Sequence, residues 1–150
     1  MKFKSIAMAC LLGFVSGTYA DNRHVHPQDK NTTTTAVPSV KAKYAGYCEI
    51  EIINQSYDDV RVNGVFDDGL PLEPFTIYSY EAPHYISLFY YGYCHYGMDL
   101  YIDSYYGYNL YSGFTKREST VRIVPYLKQN ATADANVKSN AKAKVEVTNR

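Results

Sequence analysis

The sequence predicts an all-β domain, a small antiparallel β-sandwich or barrel of about seven short strands closed by one disulfide. Three observations carry that prediction. Apolar residues alternate with polar ones over stretches of strand length, clusters of Gly, Pro, Asn and Asp separate those stretches, and no helical period runs for a useful distance.

The elements follow in order. Cys48, Ile50 and Ile52 alternate with Glu49 and Glu51, which turns one apolar face inward and one charged face outward. Turn residues fill 54–59, and Val60 and Val62 then alternate with Arg61 and Asn63 before Gly64, where a bulge is expected. A hairpin is the simplest pairing of these two strands. Asp67, Asp68 and Gly69 form the next turn. Pro71 and Pro74 keep the approach to residues 75–80 out of a central position, so that strand belongs at a sheet edge, and Pro83 closes it.

The following segment is the most unusual part of the chain: ten of the 27 residues from 85 to 111 are tyrosines, in a sequence without tryptophan. Ile86 and Leu88 mark the inner face of a strand over 85–91, leaving Tyr85, Ser87, Phe89 and Tyr91 on the other. Met98, Leu100 and Ile102 mark a second inner face, so Asp99, Tyr101 and Asp103 point outward, and Leu110 places Asn109 and Tyr111 outward as well. Val121 and Ile123, alternating with Arg122 and Val124, make a final strand that Pro125 ends. An immunoglobulin assignment is not made, because there is no tryptophan and Gly92 occupies the position two before Cys94 where a tyrosine corner is expected.

Residues 1–20 have the pattern of a secretory signal: Lys2 and Lys4, an apolar stretch over 6–15, and small residues leading to cleavage near Ala20. The expected location is therefore secreted or periplasmic. The stretch is too short to span a bilayer, and no later segment approaches the roughly 20 apolar residues a membrane helix needs. Cys10 offers a lipoprotein alternative, which the apolar residues continuing beyond it disfavour. Removal of the signal leaves Cys48 and Cys94, whose default state after export is a disulfide worth roughly 4 kcal/mol in the chain-entropy model. A reactive thiol or a metal ligand is the competing reading, but only His95 adjoins either cysteine.

Composition divides the remainder into a flexible Thr-rich linker over 21–43, the Tyr-rich sandwich over 44–127 and a basic flexible tail over 128–150, with residues 144–147 a candidate strand within the tail. The formal charge of zero conceals a net of minus seven over 44–127, from four basic and eleven acidic residues. Nucleic acid is excluded as a partner, since phosphate binding needs a basic footprint on the folded surface.

The chemistry-bearing candidates lie on the outward parity of the tyrosine segment. Tyr85, Phe89, Tyr91, Asp99, Tyr101, Asp103 and Tyr111 combine rings with carboxylates, which suits a glycan or another cell-envelope ligand: apolar sugar faces stack on aromatics and hydroxyls need acceptors. The structural alternative is that the rings form cross-strand pairs or face a second sheet as core, and the sequence leaves both open. It likewise leaves open a structural or protein-interaction role of adhesin, surface or inhibitor type, and does not reach the oligomeric state.

Other readings are weaker. His24 and His26 form a His-x-His pair, but the amino-terminal copper motif wants histidine third and His24 is fourth after cleavage at Ala20. Asp58–Asp59 and Asp67–Asp68 lack the ligand spacing of an EF-hand, so no metal or other cofactor is assigned. Glu81, His84 and Ser87 lie close in sequence without a nucleophile elbow, and Asp99 and Asp103 would stand about 13 Å apart on a regular strand, too far for glycoside hydrolysis. A non-enzymatic protein is expected, with a hydrolase as the minority alternative. Asn31, Asn54 and Asn130 match the N-glycosylation pattern, and are expected unmodified behind a signal of bacterial appearance.

Overall fold

The computed structural model describes residues 22–28, 47–126 and 143–149. The expectations for the signal segment, for Asn31 and Asn130, and for most of the linker and tail fall outside those residues. Within them the chain is all-β and carries the disulfide between Cys48 and Cys94, whose Cα atoms are 5.7 Å apart.

Among the described residues eleven strands follow in chain order: β1 (Arg23–His24), β2 (Glu49–Asn54), β3 (Val60–Phe66), β4 (Pro71–Ile77), β5 (His84–Ser87), β6 (Phe89–Tyr90), β7 (Tyr93–Cys94), β8 (Gly97–Ser104), β9 (Asn109–Lys116), β10 (Ser119–Pro125) and β11 (Ala143–Asn149). One sheet has the order β1-β5-β2-β10-β11, a second the order β4-β3-β8-β9, and β6 and β7 form a separate hairpin. The second sheet is antiparallel throughout, whereas β10 runs parallel to β2 and β1 parallel to β5.

Alternation explains the core. Ile50, Ile52, Ile86, Val121 and Ile123 from the five-stranded sheet and Val60, Val62, Leu72, Met98, Leu100 and Ile102 from the four-stranded sheet are all buried in one apolar cluster. Each lies on the inward parity of its strand, and burying these side chains supplies roughly 1.5–3 kcal/mol apiece against chain entropy. The outer face of the five-stranded sheet is polar. There the Tyr85 hydroxyl donates to Glu51 at 3.3 Å, the Thr120 hydroxyl donates to the other Glu51 oxygen at 2.9 Å, and Arg23 pairs with Glu49 at 2.9 Å.

Several expectations hold. The β4 strand is an edge, as Pro71 and Pro74 require, and the register shifts between Val62 and Gly64. Gly64 also admits a close approach, since a Cβ there would collide with the Met98 methyl and the Asp99 carbonyl. Others need correction. β2 and β3 do not pair; the turn between them carries the chain from one sheet to the other, a crossing that local alternation cannot reveal. The strand expected over 85–91 is broken into β5 and β6. Tyr91 and Gly92, at φ of 52° and 84°, make a two-residue turn that sends the chain back at Tyr90. Both termini of the sheet reach beyond 44–127: β1 lies in the segment read as linker, and β11 pairs with β10 over seven residues of the segment read as tail.

Candidate functional site

Twelve of the fifteen described tyrosines are exposed, Tyr85 and Tyr111 are half-buried, and Tyr90 is buried. Most of the exposed rings stand in or beside the loops at the two ends of the sandwich, while Tyr101 lies within β8. The face expected from the sequence divides accordingly. Tyr85 lies on the outer side of the five-stranded sheet, while Asp99, Tyr101 and Asp103 share the outer side of β8 in the other sheet. Phe89 packs against the core and Tyr91 sits in the β6–β7 turn. Tyr111 is corrected to the inward parity: the register shift at Ile102 and Asp103 sets it opposite buried Ile102, and its hydroxyl meets that of Thr115 at 3.1 Å.

One end uses its polar groups on itself. His26 is fully buried, stacks on the Tyr90 ring at 4.1 Å and bonds Asp68 at 3.0 Å. His95 stacks on the other side of Tyr90 at 3.6 Å, and its Nδ1 meets Asp67 at 2.7 Å. The Tyr90 hydroxyl donates to the second Asp67 oxygen, and the Tyr91 hydroxyl donates to Asp68 at 3.2 Å. Partial burial opposes ionisation of Asp67, but the bonds from Tyr90 and His95 outweigh it and hold the carboxyl below its usual range; burial and the Asp67 bond push the Tyr90 phenol up. The acidic turn is thus occupied by the fold's own donors.

His24 and His26 diverge to different partners, His24 to Phe75, on which it stacks at 3.4 Å, and to His84 Nδ1 at 2.9 Å. Among the described residues no three or more His, Cys, Asp or Glu side chains gather in a metal-holding arrangement. His84 and Ser87 fall on opposite parities of β5, so the side chains of the imagined triad point to different faces.

The other end is built around Asn54. This side chain, 1% exposed, ends β2 and donates through Nδ2 to the carbonyls of Asp58, Ile77 and Tyr78 at 3.0, 3.1 and 3.2 Å. Its Oδ1 accepts the Ser56 amide at 3.0 Å and hydroxyl at 2.7 Å. Such consumption of the amide leaves nothing for a glycan at the Asn54 sequon. A third loop joins through the Tyr105 amide, which donates to the Asp59 carbonyl at 3.0 Å, and the Ser79 amide donates to Asp59 Oδ1 at 3.0 Å. Three loops are therefore locked by buried polar groups while their tyrosines point out.

Exposed Tyr57, Tyr78, Tyr80, Tyr105, Tyr106 and Tyr108 all stand on these loops, at 72%, 61%, 60%, 74%, 65% and 48% exposure. Tyr57 meets Tyr80 edge to face at 5.9 Å, and Tyr105 meets Tyr106 at 5.7 Å with the ring planes 86° apart. Two shallow pockets flank Tyr105. The larger, about 470 Å³, is lined by Arg61, Phe75, Thr76, Asp103 and Tyr105 among others; the smaller, about 170 Å³, by Tyr57, Asp58, Asp59, Tyr105 and Tyr106. Of the residues expected from sequence, Asp103 belongs to this end. The others were missed because strand parity says nothing about loops, although rings inside turns, as at Tyr57 and at Tyr105–Tyr106–Gly107, signal exposure by default.

No protein-family model matches the chain, and no curated protein does. A solution structure of a protein from Eubacterium rectale is similar at 20% identity, with 70% of this chain and 91% of that chain covered and a TM-score of 0.43.

Proposed function

We propose that the protein is an exported, non-catalytic binding module that engages glycan or other cell-envelope polymers through the tyrosine-bearing loops at one end of the sandwich. The observation that carries this is the placement of six exposed tyrosines on the loops at this end, three of which, Tyr57, Tyr105 and Tyr106, line two pockets with Asp58, Asp59 and Asp103. Exposed aromatic surface of that density calls for a partner, and rings flanked by acceptors match the alternating apolar faces and hydroxyls of sugars. The larger pocket is within the roughly 300–1,000 Å³ range of small-ligand sites. The loops are fixed by Asn54 and Asp59, so little ordering entropy is lost on binding.

The test is a binding screen on glycan arrays and purified envelope polysaccharides with the mature chain and a Tyr57→Ala/Tyr105→Ala variant. Loss of at least about tenfold in affinity at an unchanged denaturant midpoint is expected, since each stacked ring contributes on the order of 1 kcal/mol or more. Full binding by the double variant removes this end of the molecule as the site. The exposed rings at the opposite end, Tyr47, Tyr91, Tyr93 and Tyr96, favour a second reading as a protein-interaction element. Retained binding that is lost on truncating Tyr93 and Tyr96 instead would support it.

A further inference from the structure

The smaller pocket has a composition that a neutral sugar does not require. Its walls are three tyrosines and two aspartates, with no basic residue among them. Tyr105 and Tyr106 stand at 86° to one another and so present two differently oriented walls, with Tyr57 contributing a third. Asp59 is partly committed, accepting the Ser79 amide through Oδ1. At about 170 Å³ the space falls below the usual range for a whole small molecule, and so takes a group rather than a ligand.

From these features we infer that the pocket binds the ammonium group of a ligand whose polar body lies in the adjoining 470 Å³ pocket. Aromatic quadrupoles attract a cation at their faces, and rings set at angles envelop it, which is the recognition chemistry of quaternary and primary ammonium ions. The aspartates supply the countercharge. Electrostatics around the site agree: Asp58, Asp59 and Asp103 outnumber Arg61 in the lining of the two pockets, and residues 44–127 carry a net of minus seven. Tyr105 is shared by both pockets, so one ligand can contact it while its cationic group enters the smaller and its hydroxyls meet Arg61, Thr76 and Asp103 in the larger. An amino sugar and a choline-substituted polymer both have this chemistry. The inference rests on the binding reading above and specifies its ligand class.

Tetramethylammonium, glucosamine and phosphocholine are titrated into the mature protein, with side-chain resonances of the tyrosines followed by NMR. N-acetylglucosamine and 3,3-dimethylbutan-1-ol serve as uncharged counterparts. Saturable shifts at Tyr57, Tyr105 and Tyr106, at least about fivefold weaker for the uncharged partners, are expected. Which of glucosamine and phosphocholine binds more tightly identifies the source of the ammonium group. Asp58→Asn and Tyr106→Leu should each weaken binding by about two- to fivefold at an unchanged unfolding midpoint, while Phe114→Leu, exposed on β9 opposite Asp99 and in the lining of neither pocket, should leave it unaltered. Equal binding of cations and their uncharged counterparts, shifts located elsewhere, or the absence of any saturable shift overturns the inference. If envelope polymers bind at this end and ammonium compounds fail to compete, the module reading stands and only the cation site falls. If ammonium compounds bind at the pocket and no envelope polymer does, the reverse holds.

Discussion

Tyr90→Phe isolates one hydroxyl in the most densely bonded part of the fold. The ring is 1% exposed and lies between His26 and His95, and phenylalanine preserves both stacking contacts. What disappears is the bond to Asp67. A hydrogen bond to a charged group is worth about 1.5–3 kcal/mol, but Asp67 keeps His95 at 2.7 Å and its side chain is 42% exposed, so water replaces part of the loss. The expected cost is about 1–2 kcal/mol, or a fall in melting temperature of about 5–10 °C for a domain of this size. A second signature accompanies it. The folded-state ionisation of Asp67 lies below its ordinary value of 3.8, so its stabilisation is complete above the unfolded value and is lost as pH falls through the folded one. Removing the donor raises the folded value toward the ordinary one, and the acid limb of the stability profile between about pH 5 and 2 should flatten. Urea midpoints at pH 7 and pH 3 measure both. A variant as stable as wild type at pH 7, with the same acid limb, refutes the claim that this bond contributes to the clamp.

Two further outcomes are expected. Burial pushes the His84 imidazole below its ordinary 6.5 against the opposing pull of Glu81, so stability should be full above about pH 6.5 and decline as pH falls through the folded value; His84→Gln should remove that decline and leave the carboxylate limb below about pH 5. Asn54→Ala strands the carbonyls of Asp58, Ile77 and Tyr78 and should cost about 2–4 kcal/mol in denaturant melts, with amide exchange quickening first in residues 55–59 and 78–83.

What the sequence made legible is what alternation encodes. Ile50, Ile52, Val60, Val62, Met98, Leu100, Ile102, Val121 and Ile123 were assigned inward by period two alone, and all are buried. The prolines place β4 at an edge, and the expectation of an oxidising compartment pairs Cys48 with Cys94, as the structure has them. Pairing was less accessible. Whether β2 joins β3 or lies between β5 and β10 depends on contacts far apart in sequence, and turn composition is the same in either case. Parity also fails wherever register shifts, which is why Tyr111 was placed on the wrong side. The β6–β7 turn escaped because Tyr91 adopts a left-handed conformation that its residue type disfavours; an edge-to-face contact with His26 and the bond to Asp68 hold it there. At the candidate site Asp103 was anticipated, whereas Tyr57, Tyr105 and Tyr106 were not, since they stand outside any strand.

The two ends of the sandwich show how one residue type serves opposite purposes. At the disulfide end, Asp67, Asp68, His26, His95 and Tyr90 bond one another, with only His95 Nε2 of this group buried without a partner, and the tyrosine at the centre is buried. At the other end the bonds that fix the loops run among Asn54, Ser56, Ser79 and main-chain carbonyls, so no tyrosine ring is needed for the purpose. Six rings are then held exposed on rigid loops. A ring needed for folding would be inward and bonded, as Tyr90 is. Exposed rings on loops that buried polar groups fix are what a recognition surface requires, because they are ordered before a partner arrives. Selective loss of binding in Tyr57 and Tyr105 variants, set against selective loss of stability in Tyr90 variants, would separate the two uses in a single protein. Equal stability losses at all three positions would contradict the division between the ends.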